Sequence, residues 1–284
     1  MKCLVTGISG QLGYDVIKEL KHRGYKDIYG VDKNDLDITN HDEVISYVNN
    51  LQPDVIFHNA AYTQVDNAED EKEICYNVNV IGTKNLVEAA RNVDAKIIYI
   101  STDYVFSGTG TTPYEVDDEK NPQNYYGKTK YEGEVEVEKY PKHFIVRTSW
   151  VFGINGKNFV KTMLRISKDK QEVSVVSDQI GSPTYTVDLA NLLVTMAETE
   201  KYGTYHANNE GYCSWAEFTE YIYKTNNINT KVKYISTNEY KTKAVRPLNS
   251  RLSKKSLTDN GFKLLPTWQD AINRYNIELR EEGE

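Results

Sequence analysis

An α/β fold built on a parallel sheet is predicted by three features of the chain. Short apolar runs alternate with helical periodicity through the first half, a glycine-rich turn follows the first of those runs, and an acidic residue closes the second. Parallel strands cannot be joined by tight hairpins, so such alternation implies crossovers, and right-handed crossovers lay helices on both faces of the sheet.

The first strand is Cys3, Leu4 and Val5, and a helix follows with Val16, Ile17 and Leu20 on one side. Next come a strand from Ile28 to Val31, a helix carrying Val44, Ile45, Val48 and Leu51, and a strand at Val55, Ile56 and Phe57. A long helical stretch over about 71–93 and a strand from Ile97 to Ile100 complete a βαβαβαβ run. Residues 107–125, rich in Gly, Pro, Thr, Asn and acids, read as a long loop. A charge-laced helical pattern over 126–140 and a strand at Phe144, Ile145 and Val146 follow. Past residue 150 the alternation loosens into a helix near 158–168, a strand over 173–176 and a helix near 187–199. A further helix starts at Ser214, with Glu217 three residues on as a capping box requires. The expected architecture is a doubly wound, Rossmann-type sheet in residues 1–150 and a smaller lobe drawn mainly from 151–284, elements of which can rejoin the first domain.

Composition removes several classes of partner. With 41 acidic and 34 basic residues the net charge is -7, which gives no footprint for nucleic acid. The three cysteines, Cys3, Cys75 and Cys213, are odd in number and form no CxxC pair, so a reducing compartment is expected and a thiolate metal site is not. Met1 and Lys2 lead directly into a strand without a signal-peptide pattern, and no apolar run approaches membrane-spanning length. A cytoplasmic protein with no membrane partner is the expectation.

The turn Thr6-Gly7-Ile8-Ser9-Gly10-Gln11-Leu12-Gly13 stands between the first strand and the first helix. Glycines there let backbone approach a pyrophosphate, and the free N–H groups and positive helix end favour an anion. Glycines also serve plain strand-to-helix turns, but here strand, turn, helix and acid agree. Asp32 lies 19 residues past Gly13, where a carboxylate can accept from both ribose hydroxyls of an adenosine, which favours NAD. Lys33 follows and can meet a 2′-phosphate or simply face water, so NADH and NADPH both stay open.

Tyr126 and Lys130 lie at i and i+4, so one helix face presents both side chains to the same space. A free phenol, with a pKa near ~10, exchanges protons sluggishly at neutral pH; an adjacent ammonium favours the phenolate. Lys130 is expected to supply that charge. Thr102, at the end of the preceding strand, is placed to share a hydrogen bond with a substrate oxygen. The Tyr-x-x-x-Lys spacing alone arises by chance on helix surfaces, but its position after the long loop and the hydroxyl at the strand end argue for carbonyl reduction.

These motifs resemble those of the extended short-chain dehydrogenase/reductases. They are the glycine-rich turn, Asn59-Ala60-Ala61-Tyr62-Thr63 with Val65-Asp66, and Ser101-Thr102-Asp103-Tyr104-Val105-Phe106. Tyr126-Gly127-Lys128-Thr129-Lys130, Arg147-Thr148-Ser149-Trp150-Val151, and Arg246-Pro247 with Asn249-Ser250-Arg251-Leu252 continue the likeness. Within that family the likeness is greatest to the branch that reduces the 4-keto group of a dTDP-linked 6-deoxy sugar, a precursor of cell-surface polysaccharide. The resemblance implies a catalytic group of Thr102, Tyr126 and Lys130. For the cofactor it implies contacts from Gly7, Ser9, Gly10, Gln11, Leu12, Gly13, Asp32, Lys33, Asp37, Ile38, Ala60, Ala61 and Tyr62, besides Tyr126 and Lys130. It sets Val65, Asp66, Thr102, Asp103, Tyr104 and Trp150 against the sugar substrate, with Arg246 and Asn249 on the nucleotide side.

Related 4,6-dehydratases follow the threonine with Asp-Glu, whereas Tyr104 follows Asp103 here, so elimination loses its second proton carrier and simple reduction is favoured. Some relatives dimerise around Mg²⁺; this chain offers Asp15 and Asp188 in that connection, no metal is carried over, and a homodimer stays open. The acidic cluster Asp66, Glu69, Asp70, Glu71 and Glu73 reads as a solvated helix start, and His58 as a packing residue. Trp150 suits stacking on a sugar, and Arg246, held extended before Pro247, suits bidentate pairing with a phosphate. The competing readings are another sugar-nucleotide reductase or epimerase, and a non-catalytic nucleotide-binding subunit, which has no need of the Thr102, Tyr126 and Lys130 arrangement.

Overall fold

The computed structural model describes residues 1–282. The five expected strands are β1 (Cys3–Thr6), β2 (Ile28–Val31), β3 (Val55–His58), β4 (Lys96–Thr102) and β5 (His143–Thr148). Between them run α1 (Gln11–His22), α2 (His41–Leu51), α3 (Lys72–Tyr76) and α4 (Gly82–Asn92), the last two joined by a π-helical stretch, Asn77–Ile81, and then α5 (Tyr125–Glu138). The second half contains β6 (Val151–Phe152), α6 (Phe159–Ile166), β7 (Glu172–Val176), β8 (Ile180–Gly181), β9 (Thr184–Tyr185) and α7 (Thr186–Ala197). It continues with β10 (Gly203–His206), β11 (Cys213–Ser214), α8 (Trp215–Thr225), β12 (Lys231–Ile235), α9 (Lys255–Asp259) and α10 (Trp268–Glu281).

The main sheet has six strands in the order β10-β5-β4-β3-β1-β2, and every neighbouring pair is parallel. Its strands are apolar at consecutive positions because both faces are covered. Alternate residues divide between two cores: Cys3, Val5, Val55, Phe57 and Ile98 face α1 and α7, while Leu4, Ile56, Ile97 and Tyr99 face α2 and α4. Two elements of the second half thus rejoin the sheet: β10 pairs with β5, Tyr205 opposite Val146, and α7 lays Leu189, Leu193 and Val194 over Val16 and Leu20 of α1. The remaining lobe has its own aromatic core around Phe152, Tyr185, Phe218, Trp268 and Tyr275. The Ser214 capping box forms as expected, with Glu217 N donating to Ser214 Oγ at 3.1 Å and Ser214 N donating to Glu217 Oε2 at 2.7 Å.

Two topological facts position the site. The chain passes from β1 to β2 on one side and returns to β3 on the other, so a crevice opens where the carboxyl ends of β1 and β3 diverge. The loop 107–125 is fastened by a segment from far along the chain: Tyr114 N donates to Arg251 O at 2.9 Å and Ser253 N to Tyr114 O at 2.8 Å.

Candidate active site

The crevice holds a cavity of about 920 Å³, within the range that takes a cofactor and a substrate together. Its walls collect residues from six places in the chain. They are the turn after β1 (Gly7, Ser9, Gly10, Gln11, Leu12, Gly13), the end of β2 and its loop (Asp32, Lys33, Asp37, Ile38), the loop after β3 (Ala60, Ala61, Val65), the end of β4 (Thr102, Asp103, Tyr104), the start of α5 (Tyr126, Lys130), and Trp150 after β5.

The phosphate end is built from backbone. Gly7 has φ +71°, and a Cβ there would lie 2.9 Å from Ala60 Cα, so only glycine lets the turns after β1 and β3 meet. Thr6 Oγ1 accepts from Ala60 N at 3.1 Å and secures that contact. No side chain caps α1 at Gly10, and its first-turn amides are of the kind that binds an anion. The Asp32 carboxylate accepts from Ser9 N at 3.0 and 3.2 Å, so it shapes the turn and keeps further lone pairs for a ribose. Asn59 Oδ1 and Ser101 Oγ are buried on the cavity wall without hydrogen-bond partners among the described residues. Buried polar atoms are seldom left so, and two of them here fit a polar ligand such as a dinucleotide. Ser101 had no sequence signal beyond its place beside Thr102.

At the chemical end, α5 begins at Asn124, whose Oδ1 accepts from Gly127 N at 2.8 Å while its Nδ2 donates to Val245 O at 2.9 Å. That cap points the first turn of α5, with Tyr126, at the end of β4. Thr102 Oγ1 donates to Asp103 Oδ1 at 3.0 Å, accepts from Tyr104 N at 3.2 Å and lies beside the Tyr126 phenol on the cavity wall. The Tyr104 and Tyr126 rings meet edge to face at 5.7 Å.

Among the described residues no hydrogen bond joins Lys130 to Tyr126; the Lys130 ammonium instead lies 4.0 Å from the centre of the Tyr99 ring. The Tyr126 phenol is pushed up by enclosure in the protein and then by the Asp103 charge, with the Thr102 hydroxyl acting the other way. Burial brings the Lys130 ammonium down to about 7, against the opposing pull of Glu134. Asp103 is pushed up to about 6 by burial, restrained by hydrogen bonds from Ser250 and Thr102.

Trp150 adopts a left-handed backbone, φ +52°, and its ring stacks on Trp215 with centroids 3.6 Å apart. A Cβ on Gly181 would lie 2.8 Å from Trp150 Cε2, so the indole is clamped between a ring and a bare backbone. Trp215 is a supporting residue that sequence reasoning missed, because it is 65 positions from Trp150 and meets it only through the lobe fold.

Four expected contact residues lie off the cavity wall. The Tyr62 hydroxyl donates to Glu71 Oε2 at 2.6 Å, which turns the ring toward the surface. Asn249 is spent on the long loop, its Nδ2 donating to Thr109 O and Thr112 O at 3.2 and 2.8 Å while its Oδ1 accepts from Arg251. Arg246 donates to the Tyr104 hydroxyl at 3.1 Å and pairs with Asp66, so both stand behind Tyr104. The acidic cluster is more than a solvated face. Besides Asp66, Glu69 accepts from Tyr125 N at 2.8 Å, Asp70 pairs with Lys243, and Glu71 holds Tyr62.

His58 is a packing residue, held between Thr6 Oγ1 at 3.2 Å and Thr83 Oγ1 at 2.9 Å, with burial pushing its ring down to about 3. Asp15 accepts from Thr186 Oγ1 at 2.5 Å and Asp188 takes both arms of Arg274 at 2.9 and 2.7 Å. Among the described residues no cluster of three His, Cys, Asp or Glu is arranged to hold a metal ion, and no helix is long and apolar enough to cross a membrane.

Comparison with known proteins bears on the whole chain. The family described as the RmlD substrate binding domain matches residues 1–280. The dTDP-4-dehydrorhamnose reductase of Aggregatibacter actinomycetemcomitans is 42% identical over 285 residues, covering 95% of this chain and 97% of that one. The spore coat polysaccharide biosynthesis protein SpsK of Bacillus subtilis is 40% identical over 275 residues, 96% of each chain. Among solved structures, a dTDP-4-dehydrorhamnose reductase from Clostridium acetobutylicum superposes with a TM-score of 0.96 at 42% identity, over 99% of this chain and 100% of that one. The enzyme of the same name from Bacillus anthracis, in complex with NADP, gives 0.95 at 45% identity over 98% and 100%.

Proposed function

The chain belongs to the RmlD substrate-binding-domain family, and on that premise we propose that it reduces the 4-keto group of dTDP-4-dehydro-6-deoxy-L-mannose to give dTDP-L-rhamnose, the last step of dTDP-rhamnose biosynthesis. The observation that carries this reading is the convergence of the glycine-rich turn, Thr102, Tyr126 and Lys130 on one cavity. NADH or NADPH, held by these residues, would supply a hydride, a proton carrying two electrons, for the carbonyl carbon. Tyr126 gives its phenolic proton to the carbonyl oxygen, so the ketone becomes a secondary alcohol and no atom is lost. Lys130, buried beside the reacting centre, favours the phenolate that remains once the cavity is filled. Thr102 orients the phenol, and Trp150 and Tyr104 wall the sugar. Gly7, Gly10 and Gly13 cradle the diphosphate, and Asp32 takes the ribose. The reaction belongs in the cytoplasm and supplies a sugar donor for cell-surface polysaccharide.

The test is oxidation of NADH and NADPH, followed by absorbance, with the dTDP-linked 4-keto sugar generated in situ. Rapid oxidation by the wild type, reduced at least a hundredfold in Tyr126→Phe with cofactor affinity retained, is the expected outcome. Full activity in Tyr126→Phe would overturn the proton donor, and wild-type binding of cofactor without oxidation would overturn the substrate.

A further inference from the structure

Asp103 is a buried carboxyl with two hydroxyl donors, one on each oxygen. Thr102 Oγ1 donates to Oδ1 at 3.0 Å, and Ser250 Oγ donates to Oδ2. Thr102 is its chain neighbour, but Ser250 comes from 147 residues away. Ser250 is itself buried and held by its backbone. Its amide donates to Ile180 O at 2.8 Å, and its Cβ would be 3.0 Å from a Cβ placed on Gly181, the glycine that also backs Trp150. The same segment carries Arg246, which donates to the Tyr104 hydroxyl. Two successive residues of the cavity wall, Asp103 and Tyr104, are therefore each gripped from behind by one strap.

We infer that Ser250 is a positioning residue for the reduction: by donating to Asp103 Oδ2 it holds the Asp103 carboxylate as the acceptor that fixes the Thr102 hydroxyl against Tyr126. The inference rests on the reductase reading of this site. A carboxylate only accepts hydrogen bonds, so it satisfies Ser250 and Thr102 together. A neutral carboxyl brings its own O–H, which needs an acceptor, and one of the two hydroxyls must then turn away. When Thr102 turns, its hydroxyl is no longer presented beside the phenol on the cavity wall. The titratable groups that face Asp103 are Tyr104 and Tyr126, both pushed up chiefly by burial and further by its charge, and Arg246 reaches it through Tyr104. The Ser250 bond lowers the Asp103 pKa against the dominant effect of burial. Its loss must therefore raise that pKa and widen the acid range in which the network is broken.

The experiment compares wild type, Ser250→Ala and Ser250→Cys. It measures kcat and KM between pH 5.5 and 8.5, the NADPH dissociation constant, and the ¹³C titration of the Asp103 carboxyl, assigned with Asp103→Asn. Cysteine fills the serine site but donates weakly, so it separates hydrogen bonding from packing. In both variants the carboxyl midpoint and the acid limb of kcat are expected to move up by about one pH unit. The ratio of variant to wild-type kcat is then about a fifth near pH 6, falls toward a tenth at lower pH and returns toward one by pH 8, with NADPH affinity unchanged. A ratio flat across pH, or a wild-type profile restored by cysteine, would overturn the positioning role. Absence of wild-type turnover with a carboxyl midpoint that still rises on losing Ser250 would sink the reductase reading instead.

Discussion

Glu134 and Arg147 close a bidentate ion pair in the interior, Nε to Oε1 at 2.8 Å and Nη2 to Oε2 at 2.7 Å, with both side chains shut off from solvent. Glu134 stands one turn beyond Lys130 on α5, Arg147 is the last residue but one of β5, and Arg147 Nη1 also donates to Val116 O of the long loop at 2.8 Å. One guanidinium thus ties α5, the sheet and the loop 107–125 together. Removing one partner of such a pair leaves a buried charge uncompensated. Glu134→Ala is expected to lower unfolding free energy by about 3–5 kcal/mol, read from urea denaturation. A loss below about 1 kcal/mol would mean that Arg147 escapes to water when unpaired.

Gly7→Ala tests the backbone cradle. The added methyl meets Ala60 Cα at 2.9 Å and the left-handed φ adds strain, so the turns after β1 and β3 must separate. The cost of such strain is about 1–3 kcal/mol. NADPH affinity, measured by nucleotide fluorescence, should fall at least tenfold while the far-ultraviolet dichroism stays that of the wild type. Unchanged affinity would show that the close approach of these turns does not form the diphosphate site.

Lys130 predicts a proton linked to cofactor binding. In the free protein burial holds its ammonium down at about 7. An anionic dinucleotide filling the cavity that Lys130 lines favours the charged form and raises that value. Below pH 7 the lysine is already largely protonated and little uptake occurs, whereas above pH 7, up to the raised value, binding must draw in a proton. Calorimetry of NADPH binding at pH 8 in buffers of different ionisation enthalpy should show uptake that disappears in Lys130→Met. Equal uptake in that variant would place the proton on another group.

Much of this protein is determined by sequence alone. Continuous short apolar runs separated by stretches of period-3.6 spacing fix β1 to β5 and the helices between them, because a parallel sheet covered on both faces demands that pattern. The glycine-rich turn, Asp32, Thr102, Tyr126 and Lys130 are legible for the same reason: each lies at a set distance from a strand end, and strand ends converge in a doubly wound sheet. Tertiary structure decided what depends on partners far apart in the chain. The strand β10, a short Gly203–His206 with little apolar signal, becomes a sheet edge only because β5 offers it a free ladder. Asp66 and Glu69 look like solvated acids until Arg246 and Tyr125 are folded onto them. Tyr62 and Asn249 sit within family-like motifs yet turn to Glu71 and to the long loop, since a hydrogen-bond partner, not a motif, sets where a polar side chain points. The state of Tyr126 likewise follows from enclosure and the Asp103 charge, quantities that spacing along a helix does not contain.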